Sequence, residues 1–277
     1  MDGFEVALVV ALLVFAAWYG RPSHRSLFRA GLGFAYRYRL LIDDDFAALV
    51  MRAERWAWRA HALVLAVAAV VFAIAFQAPY DNVMAVLPPV GAAVVAARFV
   101  VGVAWAGREF PVAPGRPSVA RVRVVRPSDL VHPVAWCCFV VWFASALGAI
   151  VVGIDRHQPA AAVTGATVAL TVVAAVAVIM AWCRRPEPAA DAAHLFLQDA
   201  WRASRIQQSL LELAVVGWVL AQVTYHGLGP ESGGWQYLPL ASGWAPLLAL
   251  AVGRDRFRRR LWPELPATQV VVVGATP

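Results

Sequence analysis

Residues 84–108 read MAVLPPVGAAVVAARFVVGVAWAGR, an apolar run with one charge, Arg98, deep inside it and a close on Trp105-Ala106-Gly107-Arg108. About twenty such residues suffice to cross the roughly 30 Å hydrocarbon core of a bilayer as a helix. A charge at that depth is costly in lipid, so Arg98 is expected to face other helices, water or a carboxylate. The Trp-x-x-Arg ending recurs at Trp18 to Arg21 and at Trp182 to Arg185. Three apolar segments therefore end alike, on the same side.

Composition agrees with that reading. Of 277 residues, 61% are hydrophobic and 15% charged, against about 25% charged in soluble domains; mean hydropathy is +0.64. The expectation is an all-α integral membrane protein of seven transmembrane helices, spanning about 4–19, 61–80, 84–107, 134–153, 160–183, 209–226 and 238–253, with a basic cytosolic tail over 254–277. The first segment follows Asp2 and Glu5, not basic residues, and no A-x-A site follows it. It reads as a retained helix and not a secretory signal.

All 24 basic residues are arginine. With the Ala and Val bias, this suggests a high-GC genome and a bacterial plasma membrane. Without lysine there is no Schiff base for retinal or pyridoxal phosphate and no Walker lysine for a nucleotide phosphate. Eight arginines follow the first segment, five the third, four the fifth, and five lie in the tail, which makes 22 of 24. Basic residues are retained in the cytosol, so the N-terminus is expected outside and the C-terminus inside. The same distribution explains the net charge of +7 without nucleic acid. Tryptophans at 18, 56, 58, 105, 136, 182 and 201 are expected at the inner interface.

Two even-numbered segments begin alike. LLIDDDFAALVMRAERWAWRAHALVLAV and LFLQDAWRASRIQQSLLELAVV both set an arginine-bearing amphipathic stretch directly before apolar sequence. Asp43 to Asp45 and Asp191 are expected to cap helix N-termini. If unbroken, helices over 44–77 and 191–226 would each run about 50 Å, longer than the bilayer core. Each must project into the cytosol or bend along the interface. Together the pairs suggest a faint parallel repeat of helix, connection, amphipathic lead-in and helix. SVARVRVVR over 118–126 and QVVVV over 269–273 favour strands; they pair with each other or add to a partner's sheet, the alternative for the tail being no structure.

Several side chains are candidates for chemistry. Arg98 and Glu212 form a candidate intramembrane polar pair, since Arg98 lies about 13 Å and Glu212 roughly five residues in from the same inner boundary, and arginine can snorkel toward it. Thr164, Thr167 and Thr171 make a small polar stripe suited to close helix packing or to a pathway. Arg52, Arg55, Arg202 and Arg205, on the lead-ins, are candidates for docking a cytosolic protein or contacting anionic headgroups of the bilayer. The six histidines define no site, the three cysteines have no ligand spacing and are expected as buried thiols, no metal site is expected, and no cofactor is indicated. The function expected from these features is a non-catalytic, transport-associated or complex-forming membrane subunit with an arginine-rich docking surface. The alternatives are a membrane-embedded enzyme acting on a lipid-phase substrate and a seven-helix sensor.

Overall fold

The computed structural model describes residues 3–76, 87–104, 108, 124–157, 159–185, 189–228, 256–265 and 269–273. Among them are nine helices and two short strands: α1 Gly3–Tyr19, α2 His24–Tyr38, β1 Leu40–Ile42, α3 Asp44–Phe76, α4 Leu87–Ala104, α5 Pro127–Leu130, α6 Pro133–Asp155, α7 Pro159–Cys183, α8 Ala192–Leu228, α9 Arg256–Leu261 and β2 Val271–Val273. Of the expected spans, 4–19, 134–153, 160–183 and 209–226 fall within helices, 61–80 and 84–107 are helical over their described parts 61–76 and 87–104, and 238–253 lies outside the described residues. Two helices, α6 and residues 161–183 of α7, are long and apolar enough to cross a membrane, with mean hydropathies of 2.4 and 2.3.

The apolar helices pack in a chain of neighbours. α1 lies on α3, α3 on α4, α4 on α7, and α7 touches both α6 and α8. Their outward faces are large and apolar: Val10, Val14 and Phe15 on α1, Leu65 and Ile74 on α3, Val140, Val151 and Ile154 on α6, Leu170 and Val173 on α7 are all exposed. At Gly165 of α7 an added Cβ would stand 2.7 Å from the Ala146 carbonyl oxygen, and at Gly153 of α6 it would stand 2.6 Å from the Ala162 nitrogen. Hydrogen in place of a side chain lets the two backbones meet.

The lead-ins are helical from Asp44 in the first and throughout in the second. α3 has 33 residues and α8 has 37, about 50 and 55 Å at 1.5 Å per residue. Each has an aspartate where the first turn leaves backbone N–H groups free: Asp43 Oδ1 accepts from Phe46 N at 2.9 Å and Asp191 Oδ1 from His194 N at 2.6 Å. Replacing Asp43 by alanine should therefore lower stability by about 1 kcal/mol, and asparagine should restore most of it. Thermal unfolding in detergent measures both.

Around these half-helices the arginine-rich end folds into a compact body. Every residue of α8 from His194 to Ala203 is buried, because α2, α7, α9 and β2 surround it. Tyr38 and Phe196 pack on Phe257 of α9, Phe34 packs edge-on against Trp201, and Val273 of β2 is fully buried. α2 ends on Arg39, whose left-handed backbone (φ 54°) turns the chain into β1. β1 pairs in parallel with β2, Leu40 opposite Val271. The tail strand expected over 269–273 thus forms over 271–273, but its partner is 40–42. Residues 118–123 lie outside the described set, and 124–126 are not in a strand.

Two further expectations are corrected. Trp182 and Trp201 are 1% and 0% exposed, core residues and not interfacial ones. Cys138 and Cys183 are buried thiols as expected, whereas Cys137 is exposed, because α6 turns that position outward.

Candidate functional site

The sequence candidates scatter. Arg98 is buried on α4, and its Nη2 donates to Ser209 Oγ on α8 at 3.0 Å. Ser209 is one turn ahead of Glu212, about 4.5 Å nearer the arginine-rich end; the Glu212 side chain lies outside the described residues. Thr164, Thr167 and Thr171 are buried on α7. Two of their hydroxyls turn back on their own helix, Thr167 to the Val163 carbonyl at 2.9 Å and Thr171 to the Thr167 carbonyl at 2.8 Å. The stripe thus fills a packing seam with its hydrogen bonds already made.

The four lead-in arginines divide. Arg202 and Arg205 are 0% and 4% exposed, so neither offers a docking surface. Arg202 Nη1 lies 3.4 Å from Asp199 Oδ1, and Trp262 Nε1 of the tail donates to Asp199 Oδ2 at 2.6 Å. A fully buried guanidinium and carboxylate thus meet the indole that closes the tail over them. Arg52 and Arg55 are exposed, as is Arg59. Their spacing of i, i+3 and i+7 puts all three on one face of α3. Trp56, between them in sequence, carries the guanidinium of Arg59 at 4.9 Å and of Arg108 at 5.3 Å from its ring centre. The outcome is a basic ridge along the polar half of α3.

On the other side of α3 lies a cavity of about 700 Å³. It opens where α1 ends, between the middle of α3, the second half of α2 and residues 204–211 of α8. Its apolar wall contains Phe34, Ala57, Leu211 and the stacked pair of Tyr19 and Trp58, ring centres 4.6 Å apart. Its polar wall is a connected chain. Glu54 Oε2 pairs with Arg205 Nη2 at 3.1 Å, Arg205 Nη1 donates to Gln208 Oε1 at 2.8 Å, and the Gln208 amide nitrogen meets His61 Nε2 at 3.0 Å. His61 Nδ1 lies 2.6 Å from the Ala57 carbonyl oxygen, which can only accept. Nδ1 therefore donates and Nε2 accepts from Gln208. Arg205 also stacks on Trp201, 4.3 Å from the ring centre. Arg37, Ser204 and Gln207 complete the lining, and Gln207 Oε1 accepts from the Tyr38 hydroxyl at 3.4 Å.

Of this site the sequence had pointed only to Arg205. Glu54 and His61 are seven apart on α3, and Arg205 and Gln208 three apart on α8; polar residues at helical spacing, just ahead of apolar sequence, are the signal that marks such a wall. Among the described residues there is no group of three side chains that could hold a metal ion. Compared with models of protein families, with curated proteins and with solved structures, the chain matches none.

Proposed function

We propose that the chain is a multi-pass bacterial plasma-membrane protein, spanning seven times with its N-terminus outside, and that it acts as a non-catalytic, complex-forming subunit of transport type. The observation that carries the docking role is the exposed basic ridge of Arg52, Arg55 and Arg59. It stands on a helix that is rigidly mounted, capped at Asp43 and packed through Val50, Ala53, Ala57 and Ala60. Support for the membrane assignment comes from the outward apolar faces, where large residues such as Val14, Ile74, Val140 and Leu170 are exposed. The arginines cluster at one end of the helices, the side that stays in the cytosol under the positive-inside rule.

An acidic cytosolic protein fits such a ridge. Purification in a mild, lipid-retaining detergent should bring along a stoichiometric protein that is released as ionic strength rises. Arg52→Glu with Arg55→Glu should lower its recovery at least about tenfold. Surface substitutions of this kind change stability by no more than about 0.5 kcal/mol, so thermal unfolding should be unchanged. Full retention by the double variant would refute the ridge as docking face, and turnover of a lipid by the purified protein alone would refute the non-catalytic role in favour of a membrane enzyme.

A further inference from the structure

A second basic cluster stands at the start of α6, apart from the ridge on α3. Arg256 Nε of α9 donates to the Ser128 carbonyl of α5 at 2.7 Å, across 128 residues of sequence. That bond mounts the arginines of the tail beside Arg126. Arg126 and Arg259 are exposed and Arg256 is half-buried. Arg256 and Arg259, three residues apart, share a face of α9, whereas Arg258 is buried and donates to the Gln269 carbonyl. α5 and α9 contribute a single carboxylate, Asp129, which is buried and whose Oδ2 accepts from Arg126 N at 3.0 Å. Burial, with the nearby charges of Arg260 and Arg259, holds the Arg256 guanidinium below the usual arginine range despite Asp129. Positive charge is thus gathered here beyond what Asp129 balances.

The cluster also has a definite depth. α6 has 23 residues, about 34 Å at 1.5 Å per residue, which matches a hydrocarbon core of roughly 30 Å. With α6 spanning as proposed above, α5, which ends two residues before it, lies at the level of the lipid headgroups on the arginine-rich side. Exposed apolar residues accompany the arginines there. Val124 is 78% and Val134 42% exposed, and half-buried Trp136 stands in the first turn of α6, where an interfacial tryptophan belongs. Basic and apolar side chains together suit a lipid better than a soluble ion.

We propose that Arg126, Arg256 and Arg259 hold the phosphate of an anionic phospholipid of the inner leaflet. The guanidinium N–H groups bond the phosphate oxygens with charge assistance, and the acyl chains run past Val134 along α6. The inference rests on α6 being a span, and stands or falls without a protein partner.

Full-length protein in a neutral detergent, titrated with phosphatidylglycerol and followed by native mass spectrometry, tests the site. At least one molecule per chain should bind, about tenfold or more tighter than phosphatidylcholine of the same acyl chains, and inorganic phosphate should not displace it. The double variant Arg126→Gln, Arg259→Gln changes exposed side chains only, so its unfolding midpoint should be unchanged. Its affinity for phosphatidylglycerol should fall by about tenfold or more, with that for phosphatidylcholine unmoved. Arg52→Glu with Arg55→Glu should leave the preference intact. Equal binding of the two lipids, displacement by inorganic phosphate at matching concentration, or an undiminished preference in the Arg126, Arg259 variant would each overturn the proposal, as would loss from that variant of a bound protein with the lipid retained. Carbonate washing of membranes separates the two readings. A chain that resists extraction but shows no lipid preference refutes the site alone, whereas a chain released by carbonate refutes the span and the site with it.

Discussion

Asp199→Leu is expected to cost about 3–5 kcal/mol and to release the tail from the body at the arginine-rich end. Asp199 is 0% exposed, and so is Arg202, whose Nη1 it faces at 3.4 Å. Taking away one partner of a buried ion pair leaves the other charge desolvated, and that penalty is of this size. The variant also loses the charge-assisted bond from Trp262 Nε1 at 2.6 Å, worth a further 1.5–3 kcal/mol. Trp262→Phe should show that second loss alone. The double variant Asp199→Leu, Arg202→Met should recover much of the stability, because an apolar pair in place of a buried ion pair is often neutral or favourable. Thermal unfolding in detergent measures the stabilities, and limited proteolysis between residues 256 and 273 measures tail release. If Asp199→Leu unfolds with the native midpoint and its tail stays protected, the ion pair is not what holds the tail in place.

Gly165→Leu is expected to separate α6 from α7 and to leave little monodisperse protein. The obstacle to a Cβ at Gly165 is the Ala146 carbonyl oxygen at 2.7 Å, with Ile150 and Ala149 side-chain carbons at 3.0 and 3.1 Å. A backbone oxygen cannot move aside as a flexible side chain would. Overpacking typically costs about 1–3 kcal/mol, and Gly165→Ala should fall there despite the roughly 1 kcal/mol that alanine gains over glycine in a helix interior. Gly148 of α6 supplies the contrast. Nothing lies within 4 Å of its would-be Cβ, so Gly148→Ala should be neutral or stabilising. Size-exclusion profiles and unfolding midpoints of the three variants decide the matter; equal behaviour of Gly148→Ala and Gly165→Ala would mean that the helices do not meet as closely as described.

How legible all this was in the sequence depends on the range of the interaction. Helix existence and the aspartate caps are local: hydropathy marks α6 and α7, and an aspartate before an amphipathic run marks the starts of α3 and α8. Strand partners are not local. Val271 to Val273 favours extended backbone by its own residues, but its pairing with Leu40 to Ile42 depends on how α2 and α8 bring the ends of the body together. Buried arginines were illegible for a related reason. Arg202 and Arg205 carry the same spacing and neighbours as surface arginines, and it is partners such as Asp199, Glu54 and Gln208 that make their burial tolerable. Ser209, which Arg98 reaches one turn ahead of Glu212, was not singled out, because a hydroxyl announces itself less than a carboxylate. The cavity draws on four segments far apart in the chain, and its polar wall could be seen only in halves.

The parallel ribbon of β1 and β2 has a consequence for the order of events during synthesis. Leu40 leaves the ribosome before every helix from α3 onward, and its ladder partner Val271 follows all of them. Contacts so distant in sequence form late, since the intervening chain must first be ordered. Until then β1, the buried face of α2 and the charged core of α8 stay open. In the proposed membrane arrangement, the ribbon closes only once the intervening helices are in place. Protection of residues 271–273 is therefore a natural reporter of completed insertion, and a chain stalled before them would present the open body to the proteases and chaperones that survey unfinished membrane proteins.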